Sequence, residues 1–376
     1  MATTFLEPGG DSDFLVGTTN GFWKSISGSP VVATDFVHGG HKQSIKYPVN
    51  AASFVATGGL TSTNTDAGAR ISFYIYLNAL PNAAATILAT HTATNLTDVD
   101  VVTVRLTSGG VVQLWNQETA QIGTNGSTLS TGVWYRLSLA YTITSTTVNR
   151  FEFFKNGVSD ISVTNATLTT IVTKHTRIGN KNGNLILDFR TSDHYVDDSS
   201  SLTDTGNIWV TAKRPIANGT TNGFTTQIGS SGSGVGTGHS PQVNERPLST
   251  TNGWSMIGAG SAITEEYNVE SAATGDISLT GATIVDWLGW ASMSSLVGET
   301  VQMVVGGANF AQAITSTNTL YTKIKGSATY PAGTGTDIGI TTDTSLTTVS
   351  LYEAGILVAY IPSAHTTSPF PSHYRV

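Results

Sequence analysis

The segment 71–157 constrains the fold more than any other part of the chain, because it reads as consecutive β-strands joined by tight turns. Ile71, Phe73, Ile75 and Leu77 recur at every second position, so one face of an extended segment is buried. Residues 101–106 alternate in the same way. Gly109-Gly110 then turns the chain into Val111-Val112-Gln113-Leu114-Trp115. A further strand is expected over 133–141. Phe151-Glu152-Phe153-Phe154 runs into Asn156-Gly157, a dipeptide suited to a type I′ hairpin because both turn residues need positive φ. Ile178 and residues 185–189 continue the pattern.

Composition extends this reading to the whole chain. Charged residues make up only 11% of the 376 residues, against roughly 25% in an ordinary globular domain. Thr, Ser, Asn and 40 Gly take their place, which suits half-exposed strands and turns. A net charge of −7, with no run of Lys or Arg, argues against a nucleic-acid partner. No stretch approaches the roughly 18 apolar residues of a membrane-spanning helix. The absence of Cys removes disulfides, thiolate metal sites and Cys nucleophiles from consideration. Residues 1–5 lack the basic and apolar regions of a secretory signal. A surface protein made in a cytoplasm and released with a particle fits these features.

The chain divides into an N-terminal segment or arm (1–40), a first sandwich (41–206), a Gly/Ser-rich linker or long loop (207–243), a second β-sandwich or jelly-roll domain (244–362) and a C-terminal tail (363–376). The linker expectation rests on the near-exclusive Gly, Ser, Thr and Asn content of 218–240, including Gly229-Ser230-Ser231-Gly232-Ser233-Gly234. Helical periodicity is nearly absent, and only 292–296 suggest a single turn. The fold class expected is all-β.

Trp134-Tyr135-Arg136-Leu137, followed by Phe151 to Gly157, resembles the concanavalin A-like (laminin-G-like) jelly-roll superfamily over residues 40–206. Leu187-Asp188-Phe189 through Asp193-His194-Tyr195-Val196-Asp197-Asp198 is similar to the strand that closes such a sandwich. Residues 207–362 resemble the module that follows such sandwiches in tailed-phage structural proteins. The phrases that carry this are Gly206-Asn207-Ile208-Trp209-Val210, Gln242 to Pro247, Asn252-Gly253-Trp254 and Leu351-Tyr352-Glu353-Ala354-Gly355. The resemblance implies a non-enzymatic bacteriophage virion component, such as a capsid decoration protein, head fibre or tail adhesin. It would sit on the virion surface as a homo-oligomer, a trimer being common among such proteins, and contact the major capsid or tail protein. Host surface glycans are the alternative partner, and a polysaccharide-degrading enzyme is the third possibility.

Candidate chemistry is sparse. Asp193, Asp197 and Asp198, with Asp98 and Asp100, can be read as a Ca²⁺ site, since Ca²⁺ takes about six to eight oxygen ligands. The competing reading is Asp capping of turns, and no other cofactor is expected. His38-Gly39-Gly40-His41 offers two imidazoles but no third ligand nearby in sequence, so a solvated loop is favoured. Glu265-Glu266 and Glu152 are the carboxylates to consider for glycoside hydrolysis, which needs a pair about 5–9.5 Å apart. The Glu-x-Asp-x-x-Glu run of concanavalin A-like glycosidases is absent. Seven Trp invite a carbohydrate reading, because aromatic rings stack on sugar faces. Trp115 with Asn116 ends a strand near a sandwich rim. Trp287 and Trp290 lie three apart in a strand, so one is expected to point outward. Trp115, Asn116 and Trp287 are the sugar-binding candidates, although a core position is the favoured reading for each Trp, as it is for mid-strand Trp134.

Overall fold

The computed structural model describes residues 3–7, 23, 25–56, 67–92, 99–173, 175–181, 183, 186–224, 226–228, 253–256, 262–274, 277–295, 299–305, 308–314, 319–325, 336–342 and 348–363. Every regular element among them is a strand. The chain forms two compact units, one built on residues 23–210 with Thr3–Glu7, the other on 211–363.

The first unit is a sandwich of two antiparallel sheets. Sheet one runs in the order Val158–Val163, Asn149–Lys155, Trp134–Ile143, Ala67–Ala79, Asp188–Asp197, Ser44–Tyr47 and Val31–Ala33, with Thr3–Glu7 also paired to Asp188–Asp197. Sheet two runs Ala120–Ile122, Val112–Asn116, Asp100–Leu106, Ala85–His91, His175–Asn180, Ser53–Ala56 and Ser25–Ser27. The register explains the core. Leu137 sits opposite Phe73 and Leu139 opposite Ile71, and both ladders turn these side chains to one face, where all four are buried. Val104 is flanked by Leu88 and Leu114 in sheet two, again all buried. A Cβ added to Gly123 would lie 2.6 Å from Val163 Cγ2, which shows how closely the two sheets approach at that edge. Asn156 (φ 53°) and Gly157 (φ 84°) both take left-handed conformations in the hairpin between Asn149–Lys155 and Val158–Val163.

The second unit pairs Thr226–Ile228, Gly253–Met256, Val349–Ile361, Thr283–Ser295 and Thr319–Lys325 in one sheet. Pro215–Asn222, Thr264–Val269, Thr336–Thr341, Glu299–Val305 and Ala308–Ile314 form the other. Gly289 lets the sheets meet, because a Cβ there would be 3.0 Å from Val305 Cγ2.

Three sequence expectations change. Part of the N-terminal segment is built into the first unit, since Thr3–Glu7 and Val31–Ala33 both enter sheet one. Part of the expected linker is sheet: Pro215–Asn222 pairs with Thr264–Val269, and Thr226–Ile228 with Gly253–Met256. Pro215–Asn222 is an edge strand, which needs backbone pairing rather than apolar side chains. Its Gly219 fits because a Cβ would come within 2.6 Å of the Glu266 carbonyl carbon. Residues 292–295 form no turn; they end the strand Thr283–Ser295, whose ladder with Val349–Ile361 runs from Thr283 opposite Ile361 to Ser295 opposite Val349. Residues 229–250, including the Gly/Ser run and Gln242 to Pro247, lie outside the described residues, as do Asp98, Leu185 and the tail beyond 363.

Candidate functional site: an aromatic and amide face on the second sheet

Alternation along Val112–Asn116 decides what the first unit presents outward. Val112, Leu114 and Asn116 turn toward the core side, and Gln113 and Trp115 turn away from it. Pairing then places Arg105 opposite Gln113 and Gln121 opposite Trp115, all on the outward face. The Arg105 guanidinium lies 4.6 Å from the centre of the Trp115 ring. Trp115 Nε1 donates to Gln113 Oε1 at 3.0 Å. Gln113 Nε2 donates to Asn125 Oδ1 at 2.7 Å, and Gln121 Nε2 donates to the same oxygen at 3.0 Å. Gln121 and Asn125 are exposed, while Trp115, Gln113 and Arg105 are half-buried. Arg105 Nε makes no hydrogen bond among the described residues.

Behind this open end the same face carries a buried ion network. Asp100 accepts from Arg177 Nη2 at 3.0 Å and from Lys181 Nζ at 2.5 Å, and His91 Nδ1 lies 3.2 Å away. Glu118 reaches back from the turn after Trp115 to accept from Thr86 Oγ1 at 2.6 Å. That turn holds two successive non-glycine residues in left-handed conformations, Gln117 (φ 48°) and Glu118 (φ 62°). Such conformations cost about 1–3 kcal/mol each and gather at functional sites.

Asn116 does not share this face. It is buried, its Nδ2 donating to Thr169 Oγ1 at 3.2 Å and its Oδ1 accepting from Thr169 N at 3.3 Å, so it fastens a neighbouring loop. Trp287 is 8% exposed and Trp290 fully buried, so neither of the pair points outward. Trp290 is housed by Gly355, where a Cβ would sit 2.7 Å from the indole. Glu265 is buried and accepts from the Phe224 amide at 2.9 Å, whereas Glu266 is only half-buried. As strand neighbours they point to opposite faces. Glu152 accepts from Ser159 Oγ at 2.9 Å and from Ser162 Oγ.

The Asp residues near the end of Asp188–Asp197 have separate partners. A bulge interrupts the ladder with Ala67–Ala79 between Ser192 and Tyr195, and there Asp193 adopts φ 53°. The bulge aims Asp193 at the loop before Ser44–Tyr47. His38 Nδ1 lies 2.7 Å from Asp193 Oδ2 and His41 Nε2 2.8 Å from Oδ1. Val210 N donates to Oδ1 at 2.7 Å and Ser192 Oγ to Oδ2 at 3.0 Å. The two imidazoles of the loop 38–41 are therefore not solvated: His38 is 5% and His41 6% exposed, and the third partner that the sequence hid is Asp193. His38 stacks on Tyr74 with ring centres 3.7 Å apart and meets the edge of Trp209 at 4.8 Å. Burial alone would raise the Asp193 pKa; the two imidazoles more than offset this and hold it well below the usual carboxylate range. Asp197 is bound by Arg70 instead, with Nη2 at 2.7 Å, and Asp198 is half-buried.

No protein-family model matches the chain, and no curated protein does. Solved structures similar to it are all-β sandwich or jelly-roll-like domains. The endo-β-1,4-glucuronan lyase of the fungus Trichoderma reesei is 12% identical, with 54% of this chain covering 98% of that one at a TM-score of 0.39. The binding domain of Paraclostridial Mosquitocidal Protein 1 is 14% identical, with 60% of this chain covering 57% of that one at 0.37. A sialidase of Trypanosoma rangeli is 11% identical, with 48% of this chain covering 31% of that one at 0.34. The likeness is one of fold.

Proposed function

We propose that this protein is a non-enzymatic carbohydrate-binding β-sandwich protein, and that the sugar is held on Trp115 by Gln113, Gln121, Asn125 and Arg105. The observation that carries the reading is the outward row itself: a half-exposed indole ringed by planar amides and a guanidinium on one face of three adjacent strands. An indole offers a flat apolar surface to sugar C–H groups, and amides and guanidinium supply the donors and acceptors that sugar hydroxyls need. The strained turn at Gln117 and Glu118 fixes the rim. Binding rather than hydrolysis also fits Glu265 and Glu266, whose side chains leave the strand on opposite faces.

The biological setting belongs to the same proposal. The resemblance of residues 207–362 to phage structural modules supports a homo-oligomeric protein on a virion surface, recognising host glycans. A purely cementing role would need an apolar face to bury against sister subunits. The large exposed apolar side chains among the described residues, Val31, Val49, Val99, Val133, Val148, Val158, Ile186 and Ile216, instead come from eight separate segments.

The test is a glycan array followed by calorimetry on the best hit, with wild type and Trp115→Ala. Because Trp115 is only half-buried, the variant should keep its fold, checked by near-ultraviolet circular dichroism. Loss of a stacked ring is expected to weaken binding by about tenfold or more, or roughly 1.4 kcal/mol. A folded Trp115→Ala protein that binds its glycan as tightly as wild type would sink the assignment, as would wild-type protein that binds no glycan at all.

A further inference from the structure

We propose that His38, His41 and Asp193 form a binding site for one divalent transition-metal ion of the Zn²⁺ class. The donor atoms of the three side chains all lie within 4.8 Å of one another, and all three residues are buried. Their contacts are now short: 2.7 Å from His38 Nδ1 to Asp193 Oδ2 and 2.8 Å from His41 Nε2 to Oδ1. A tetrahedral ion with bonds of about 2.1 Å sets its ligand atoms about 3.4 Å apart. Opening these two contacts by less than about 1 Å, and drawing together the donors that now lie up to 4.8 Å apart, would make room for it. The ion would take the place of the protons now shared between imidazoles and carboxylate. Ser192 Oγ, 3.0 Å from Asp193 Oδ2, or a water completes the coordination.

The electrostatics call for a cation at this point. Asp193 is fully buried, and a buried carboxylate is costly without a compensating positive charge. Two imidazoles and one carboxylate select Zn²⁺, Co²⁺, Ni²⁺ or Cu²⁺ over Ca²⁺, which prefers an all-oxygen shell. The site would be structural: it ties the loop 38–41 to the bulge at Asp193, which in turn holds the amide of Val210 at 2.7 Å. The rival source of charge is a proton on one of the two histidines.

The experiment uses the full chain stripped with a chelator, then titrated with Zn²⁺ and with Co²⁺. One equivalent is expected to bind. Co²⁺ should give a visible absorption band of tetrahedral intensity. It should also quench the fluorescence of Trp134 and Trp209, whose rings lie 5.3 and 4.8 Å from His38. Saturating Zn²⁺ should raise the melting temperature by about 3 °C or more. His41→Gln, which keeps a donor toward Asp193 but is a poor ligand, should lose the band and the thermal shift. A wild-type protein with neither band nor shift overturns the proposal and leaves the proton as the counter-charge. A wild-type band that survives in His41→Gln overturns it too, because the ion then sits elsewhere. Both wild-type readouts stand without the variant, so a variant that fails to fold does not block the decision.

Discussion

Replacing Arg70 by Met tests whether buried ion pairs on the outward face of sheet one hold the first unit together. Arg70 Nε donates to both Asp197 oxygens, at 3.2 and 3.0 Å, and Nη2 donates to Oδ2 at 2.7 Å. The Asp197 side chain is 0% and that of Arg70 10% exposed, so water cannot replace the lost partner. In Arg70→Met the Ser199 amide, at 2.9 Å, still donates to Asp197. Breaking a buried pair in this one-sided way costs about 3–5 kcal/mol. In a unit of this size each kcal/mol moves the melting temperature by about 2–4 °C, so calorimetry should show a fall of about 6–20 °C. The double variant Arg70→Met, Asp197→Asn removes the stranded charge and keeps an acceptor for Ser199, so it should recover most of the loss. The reasoning fails if the single variant melts within about 2 °C of wild type, or if the double variant is no better than the single one. The same protein examines the Ca²⁺ reading of Asp197: if added Ca²⁺ restores the melting temperature of Arg70→Met, the carboxylate serves as a metal ligand.

Two further outcomes follow from packing and burial. Gly355→Ala would place a methyl group 2.7 Å from Cζ2 of the fully buried Trp290, and overpacking of this kind should cost about 1–3 kcal/mol in chemical denaturation; an unchanged midpoint would show that the indole moves freely. Burial pushes the Tyr141 hydroxyl up to about 12, its hydrogen bond to Thr173 pulling the other way, and burial also raises Tyr74 and Tyr267. A raised folded-state value means that the stabilisation is fully present below the unfolded value of about 10 and is lost as the pH climbs through the folded one. These three phenols should therefore ionise together with alkaline unfolding; a smooth ultraviolet titration of every tyrosine near pH 10 in folded protein would contradict the burial.

What could be read from the sequence was local. The alternation of Ile71, Phe73, Ile75 and Leu77 needs only the two-residue period of a strand, and Asn156-Gly157 needs only the tolerance of those residues for positive φ. What could not be read was non-local or carried by backbone alone. His38 and Asp193 are 155 residues apart, and they meet because Ser44–Tyr47 pairs beside the one place where Asp188–Asp197 bulges. No side-chain pattern announces that bulge. Pro215–Asn222 escaped notice because an edge strand made of Thr, Asn and Gly has the composition of a loop. Trp287 looked available because parity puts it opposite Trp290, but parity says nothing about what covers each face.

The outward faces of the first unit differ in what they leave unsatisfied, and that difference favours one of them for recognition. On sheet one three buried arginines are consumed internally. Arg136 forks onto Asp204 at 2.7 and 2.6 Å, Arg70 onto Asp197, and Arg190 reaches Asp35 and Asp188. Tyr74 and Trp134 on that face are buried against His38. A ligand arriving there would first have to break these pairs. On sheet two the pairing is graded along the face. Asp100, Arg177 and Lys181 satisfy one another at the inner end, and at the other end Gln121 and Asn125 stay exposed beside the indole. Hydrogen bonds among exposed amides contribute little net stability in water, so a sugar hydroxyl can replace them at small cost. The inner ion network ties the strand that carries Arg105 to its neighbours, which limits the ordering entropy lost there when a ligand binds. An indole with exchangeable amide partners is the combination the proposed sugar-binding role would use, and both lie on the outward face of sheet two.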